Sequence, residues 1–135
     1  MAKITFTLKE LTQMLISNEH LRGKISRLKV DGEKIHFVIK TDSFILPYIP
    51  ASLGFSSFCD NQAIFELTII SNHLNKAVSR LKQMLPFKLP EYIELDYPKI
   101  FVNVDKVLEE KNIKGIRVAD IVLEGDELTV ITCNI

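Results

Sequence analysis

The chain has 135 residues, 47% hydrophobic and 25% charged, with 17 basic and 17 acidic side chains giving a formal net charge of zero. That is one domain's length with enough apolar material for a core, and its neutrality removes any global electrostatic case for nucleic acid or an anionic membrane. Charge is nonetheless graded along the chain: residues 1–41 hold eight Lys/Arg against four acids, and residues 91–127 hold five against ten.

The N-terminal residues lead straight into patterned sequence without an apolar export region, and Ala2 stands where N-myristoylation needs glycine. Cytoplasmic localisation is therefore the expectation. Ile4, Phe6 and Leu8 alternate with Thr5 and Thr7, which predicts a strand. Thr7 then predicts a helix start, with Glu10 three residues on completing a capping box over Leu8–Ser17. Two strands follow about Asp31-Gly32, an expected type I′ hairpin in which Val30 faces Glu33, Leu28 faces Ile35 and Ser26 faces Phe37. Leu28, Val30, Ile35, Phe37 and Ile39 form its core face, and Arg27, Lys29, Lys34 and His36 the opposite one.

Residues Ser43–Cys59 carry no formal charge. Pro47, Pro50 and Gly54 break the run too often for a membrane-spanning helix and predict an irregular or edge segment. Phe44, Ile45, Tyr48, Ile49, Leu53 and Phe55 are the candidate ligand-binding residues, as an apolar lip that a lipid or other apolar molecule reaches. The competing reading covers the same segment with a protein partner or a second copy of the chain.

Ala63, Phe65, Leu67 and Ile69 predict a central strand. Leu74, Ala77, Val78, Leu81, Met84 and Leu85 then recur at helical spacing, so Asn72–Leu85 is expected to be an amphipathic helix on which the fold is organised. Tyr92–Tyr97 and Ile100–Val104 read as strands, Asp105–Lys111 as a short helix, and Arg117–Thr132 as a hairpin about Glu124-Gly125. Ile4, Phe6, Leu8 and Leu11 match Ile100, Val102, Val104 and Val107 at constant offset, and Leu28, Val30, Gly32, Ile35 and Phe37 match Ile121, Leu123, Gly125, Leu128 and Val130. This suggests duplicated units over residues 3–41 and 99–133, flanking 42–98 within one domain.

The stretch Gly115–Val130 resembles the strand-turn-strand units of small bacterial lipid-binding proteins of the tubular, BPI-like kind. The resemblance implies a curved antiparallel sheet wrapped on a long helix and shielding an acyl chain, and transfers no individual ligand contact.

No catalytic motif emerges. The five glycines are isolated, Gly54-Phe55-Ser56 lacks the second glycine of a hydrolase elbow, and His20, His36 and His73 lie on separate elements. Cys59 and Cys133 form neither a disulfide framework nor a zinc site. Glu109-Glu110 and Asp126-Glu127 are adjacent pairs whose side chains diverge. The expectation is a single α+β domain, a twisted antiparallel sheet of about six to eight strands packed on the central helix. It is a non-enzymatic module without cofactor or metal, binding an apolar ligand or associating with protein, itself included, and not nucleic acid.

Overall fold

The computed structural model describes residues 2–17, 23–41, 47–69 and 89–134. Nine strands and two short helices occupy these residues: β1 (Ala2–Thr7), α1 (Leu8–Ser17), β2 (Ile25–Asp31), β3 (Lys34–Lys40), β4 (Tyr48–Cys59), β5 (Gln62–Ile69), β6 (Ile93–Asp96), β7 (Lys99–Asn103), α2 (Val104–Glu110), β8 (Ile116–Glu124) and β9 (Glu127–Asn134). The strands form two antiparallel sheets, a three-stranded one in the order β1-β9-β8 and a six-stranded one in the order β2-β3-β4-β5-β7-β6.

This corrects the expected α+β class. The protein is mostly β, with two sheets instead of one, and among the described residues no helix packs centrally on either of them. The expected Asn72–Leu85 helix lies outside the described residues. Period-3.6 patterning identifies an amphipathic segment but does not say that a sheet is built around it. Here the sheets bury their apolar faces against each other. Ala63 on β5, Val118 and Ile121 on β8, and Leu128 on β9 form one buried cluster, flanked by Phe55, Phe58, Phe65, Leu11 and Leu108. The rings of Phe55 and Phe65, cross-strand partners on β4 and β5, meet edge-on at 5.5 Å between centroids. A second cluster lies within the larger sheet, where Ile39, Ile49, Ala51 and Leu67 are buried.

Both glycine hairpins have the same turn. Gly32 and Gly125 have φ of +62° and +61°, while Glu33 and Asp126, which follow them, are not among the positive-φ residues. Positive φ at the first central position alone is the type II′ signature. The turn residues are therefore Gly32-Glu33 and Gly125-Asp126, one position later than the sequence reading placed them. Val30 consequently faces Ile35, and Leu123 faces Leu128. The register slides by two residues, an even number, so Val30, Ile35, Phe37 and Ile39 still share one face while Lys29, Lys34 and His36 share the other. Each hairpin also carries a bulge in its first strand, between Ser26 and Lys29 and between Val118 and Asp120. The third hairpin, β4–β5, turns on Asp60-Asn61, both with positive φ as a type I′ turn requires.

The uncharged run is also corrected. Its described part is neither irregular nor an edge, because β4 lies between β3 and β5, paired with β3 from Tyr48 to Gly54 and with β5 from Ala51 to Cys59. Pro50 is tolerated for a geometric reason. The Thr41 amide donates to the Pro47 carbonyl, and antiparallel alternation from that bond makes Ile49 and Ala51, not Pro50, the residues bonded to β3. Pro50 then presents its nitrogen away from β3, so no bond to that strand is lost.

Candidate interaction edge

The four described residues of the six predicted for ligand binding do not share one accessible surface. Ile49 is 2% exposed and sits in the core with Ala51, whereas its neighbour Tyr48 is 59% exposed on the opposite face of β4. Leu53 and Phe55 are half-buried against the two apolar clusters. Phe44 and Ile45 lie outside the described residues. The strand's period of two divides the candidates between faces, which a count of uncharged residues does not register.

Groups with catalytic chemistry are equally dispersed. His36 Nε2 lies 3.5 Å from a carboxylate oxygen of exposed Asp31. Cys59 is exposed and Cys133 half-buried, on different sheets. A cleft of about 430 Å³ between the turn before β6 and helix α2 is lined by Pro90, Glu91, Tyr92, Lys106, Glu109 and Glu110. Among the described residues no buried polar side chain is left without a hydrogen-bond partner. Among the described residues no group of three or more His, Cys, Asp or Glu could hold a metal ion, and no helix is long and apolar enough to cross a membrane.

The feature that stands out is main-chain. Among the described residues the two sheets have four edges, β1 and β8 in the smaller and β2 and β6 in the larger. An open edge is a row of unpaired N–H and C=O groups, and proteins usually blunt such rows. β8 is bulged, and the Asp120 carboxylate accepts the Ile121 amide at 2.8 Å. β2 is bulged about Arg27, whose φ is +55°, and exposes Arg27, Lys29 and Asp31. β6 is four residues long and exposes Glu94 and Asp96. Each carries a device that discourages a further strand.

β1 carries almost none. Its pairing with β9 runs without interruption from Ala2 opposite Thr132 to Thr7 opposite Glu127. It contains no proline, glycine or bulge, and Lys3 is its sole charge. Ala2, Lys3, Ile4 and Thr5 are all exposed, and among the described residues no other segment pairs with this part of the edge.

The start of α1 settles which groups face outward. Thr7 is the last residue of β1 and its Oγ1 accepts the Glu10 amide at 3.1 Å, the capping contact expected from sequence. The amide of the next residue, Leu8, donates to the Asp126 carbonyl at 2.7 Å. In an antiparallel ladder the residues bonded to one neighbour alternate with those facing the other side. Phe6, Ile4 and Ala2 therefore bond to β9, while Lys3 and Thr5, and the amide of Thr7, turn toward solvent. On the face that packs inward, Ile4 is 47% exposed, with no further strand flanking it among the described residues.

Sequence reasoning found β1 as a strand but not as an edge. A strand becomes an edge through the pairing of all the others. The available signal was the contrast between Lys3–Thr7, with a single charge, and the charged flanks of the other hairpins.

No protein-family model, no curated protein and no solved structure matches this chain. The likeness of Gly115–Val130 to tubular lipid-binding proteins rests on those sixteen residues alone.

Proposed function

We propose that the protein is a non-enzymatic interaction module that receives an extended strand at the edge of β1. The observation that carries this reading is that β1 alone, of four edges, has neither bulge nor acidic side chain and is exposed from Ala2 to Thr5. Adding a strand there satisfies the main-chain groups of Lys3 and Thr5 and covers the half-exposed Ile4. Main-chain hydrogen bonds supply the attachment, and the side chains flanking Ile4 supply selectivity.

The test uses a capped synthetic hexapeptide of alternating Thr and Val, titrated into dilute isotope-labelled protein. Chemical-shift changes should centre on the amides of Lys3, Thr5 and Thr7. Changes centred on β2, β6 or β8, or none at millimolar peptide, contradict the reading.

A second reading is an apolar ligand held on the inner face of the larger sheet. It is supported by the half-buried rim of Phe37, Leu53, Tyr97 and Ile100 around the buried Ile39 and Ile49. A native mass spectrum of freshly purified protein tests it. Additional apolar mass on the chain supports a ligand, and a bare chain mass counts against one.

A further inference from the structure

We infer that the strand received at β1 is β1 of a second copy, antiparallel, with Thr5 opposite Thr5 on a two-fold axis. This rests on the edge reading above and adds the identity and register of the partner.

The edge is self-complementary in three respects. First, the outward groups lie on Lys3, Thr5 and Thr7, symmetric about Thr5. A two-fold there pairs Thr5 with its equivalent and Lys3 with Thr7 of the second copy; each Thr5 amide donates to the other Thr5 carbonyl, and each Thr7 amide to the Lys3 carbonyl of the other copy. The Thr7 carbonyl, turned into the first turn of α1, is not needed.

Second, the same register sets Ile4 opposite Phe6 of the second copy, twice. These are non-hydrogen-bonded pairs, in which side chains approach most closely. Ile4, 47% exposed in the single chain, acquires the apolar neighbour that its inward-facing position lacks.

Third, the charges match. Thr7 is paired with Glu127, and Glu127 with Glu124, so two carboxylates face each other directly across β9 and β8. Like charges in that position repel. The Thr5-centred register places Lys3 of the second copy next to Thr7, in line with Glu127 and Glu124. The row then reads Lys, Thr, Glu, Glu, with the lysine stem crossing Thr7 toward the carboxylates. The two Lys3 residues lie at opposite ends of the paired strands. Sliding the register by two, to centre on Ile4, moves each Lys3 opposite Thr5 and out of line with the carboxylates.

The assembly joins two three-stranded sheets into one of six, in the order β8-β9-β1-β1-β9-β8, and removes both open edges. A contact made of one strand per copy is small, so association at micromolar or weaker concentration is expected, reversible on dilution.

Sedimentation equilibrium tests this on the full chain. The unmodified protein should show a concentration-dependent monomer–dimer equilibrium. Thr5→Pro should abolish it, because it removes the outward amide; within the chain it costs only the exposed hydroxyl contact of Thr5 with Thr129 at 3.1 Å. Lys3→Glu and Glu127→Lys should each weaken it roughly tenfold, since every change acts twice across a two-fold, and the doubly exchanged protein should recover the original affinity. Circular dichroism confirms that each variant is folded, and these exposed positions leave the core untouched. A chain that stays monomeric at millimolar concentration overturns the inference, as does a dimer insensitive to Thr5→Pro or a charge exchange that fails to restore affinity. If the Thr-Val peptide still shifts the β1 amides while the chain stays monomeric, only self-pairing fails. If neither binds, the edge reading falls with it.

Discussion

The Leu8 amide donates to the Asp126 carbonyl at 2.7 Å, so helix α1 begins against the turn of the hairpin farthest from it in sequence. A parallel relationship occurs in the other sheet, where the Val104 amide donates to the Asn61 carbonyl at 3.0 Å and α2 begins against the β4–β5 turn. In each case the preceding residue caps the helix: Thr7 accepts the Glu10 amide, and Asn103 accepts the Lys106 amide. In each case that cap pairs with the first strand residue after the turn, Thr7 with Glu127 and Asn103 with Gln62. The helices are thus set by turns contributed from elsewhere in the chain, and the caps couple local sequence to long-range pairing.

Removing either cap should therefore be felt. Thr7→Ala and Asn103→Ala should each destabilise the fold by about 0.5–2 kcal/mol, the usual range for losing a side-chain N-cap. Urea unfolding followed by circular dichroism measures both. Losses well under that range would mean that the turn contacts hold the helix starts without the caps.

The alternation within β4 predicts opposite outcomes at adjacent residues. Ile49→Ala should cost about 2–5 kcal/mol, as for other fully buried aliphatic truncations, because Ile49 is 2% exposed. Tyr48→Ala, on the exposed face, should change stability by less than about 0.5 kcal/mol. Ile49→Asp should leave the chain unfolded, since its carboxylate would enter the core without a partner. Equal effects at 48 and 49 in thermal melts would reverse the assigned faces.

Three glycines separate conformational need from space. Gly32→Ala and Gly125→Ala should each cost about 1–2 kcal/mol, because a Cβ is strained in the left-handed region wherever there is room for it. Gly54 has no such φ, and an added Cβ would meet Lys34 Cγ at 3.7 Å, ordinary contact distance. Gly54→Ala should accordingly be close to neutral in the same melts. A large loss there would require a constraint on β4 beyond the Lys34 stem.

Much of the local structure was legible in the sequence, and the assembly was not. Thr7 and Glu10 announced α1, and the Ile4/Phe6 alternation announced β1, because capping and period-two burial are local effects. The hairpins were found but mis-registered by two residues, since Asp-Gly and Gly-Glu compete as turn centres and the outcome depends on which residue takes positive φ. The run Ser43–Cys59 read as an irregular or edge segment because proline content outweighed alternation; Pro50 is accommodated because its nitrogen faces away from β3. Partition of the strands between two sheets was illegible. β1 pairs with β9 instead of with its own following hairpin, and nothing within residues 3–41 encodes a partner near residue 130. The interaction edge follows from that partition, so it was hidden for the same reason.

Proline scanning distinguishes the two sides of β1. Thr5→Pro should lower stability by less than about 1 kcal/mol, because its amide faces solvent and proline suits an edge strand. Ile4→Pro should cost about 2–4 kcal/mol, from a lost ladder bond and an acceptor on β9 left unpaired. Similar losses at both positions would show that β1 is bonded on both sides in the isolated chain.

Residue-resolved amide hydrogen exchange, recorded at low and at high protein concentration, tests the account most directly. In dilute protein Ile4 and Phe6 should be protected by β9 while Lys3 and Thr5 exchange near the rate of an open chain. On concentration, Thr5 and Thr7 should gain protection and the amides of β2, β6 and β8 should not change. Protection of Thr5 already present in dilute protein, or exchange at Thr5 that stays fast up to millimolar concentration, would contradict an open edge that pairs with a second copy.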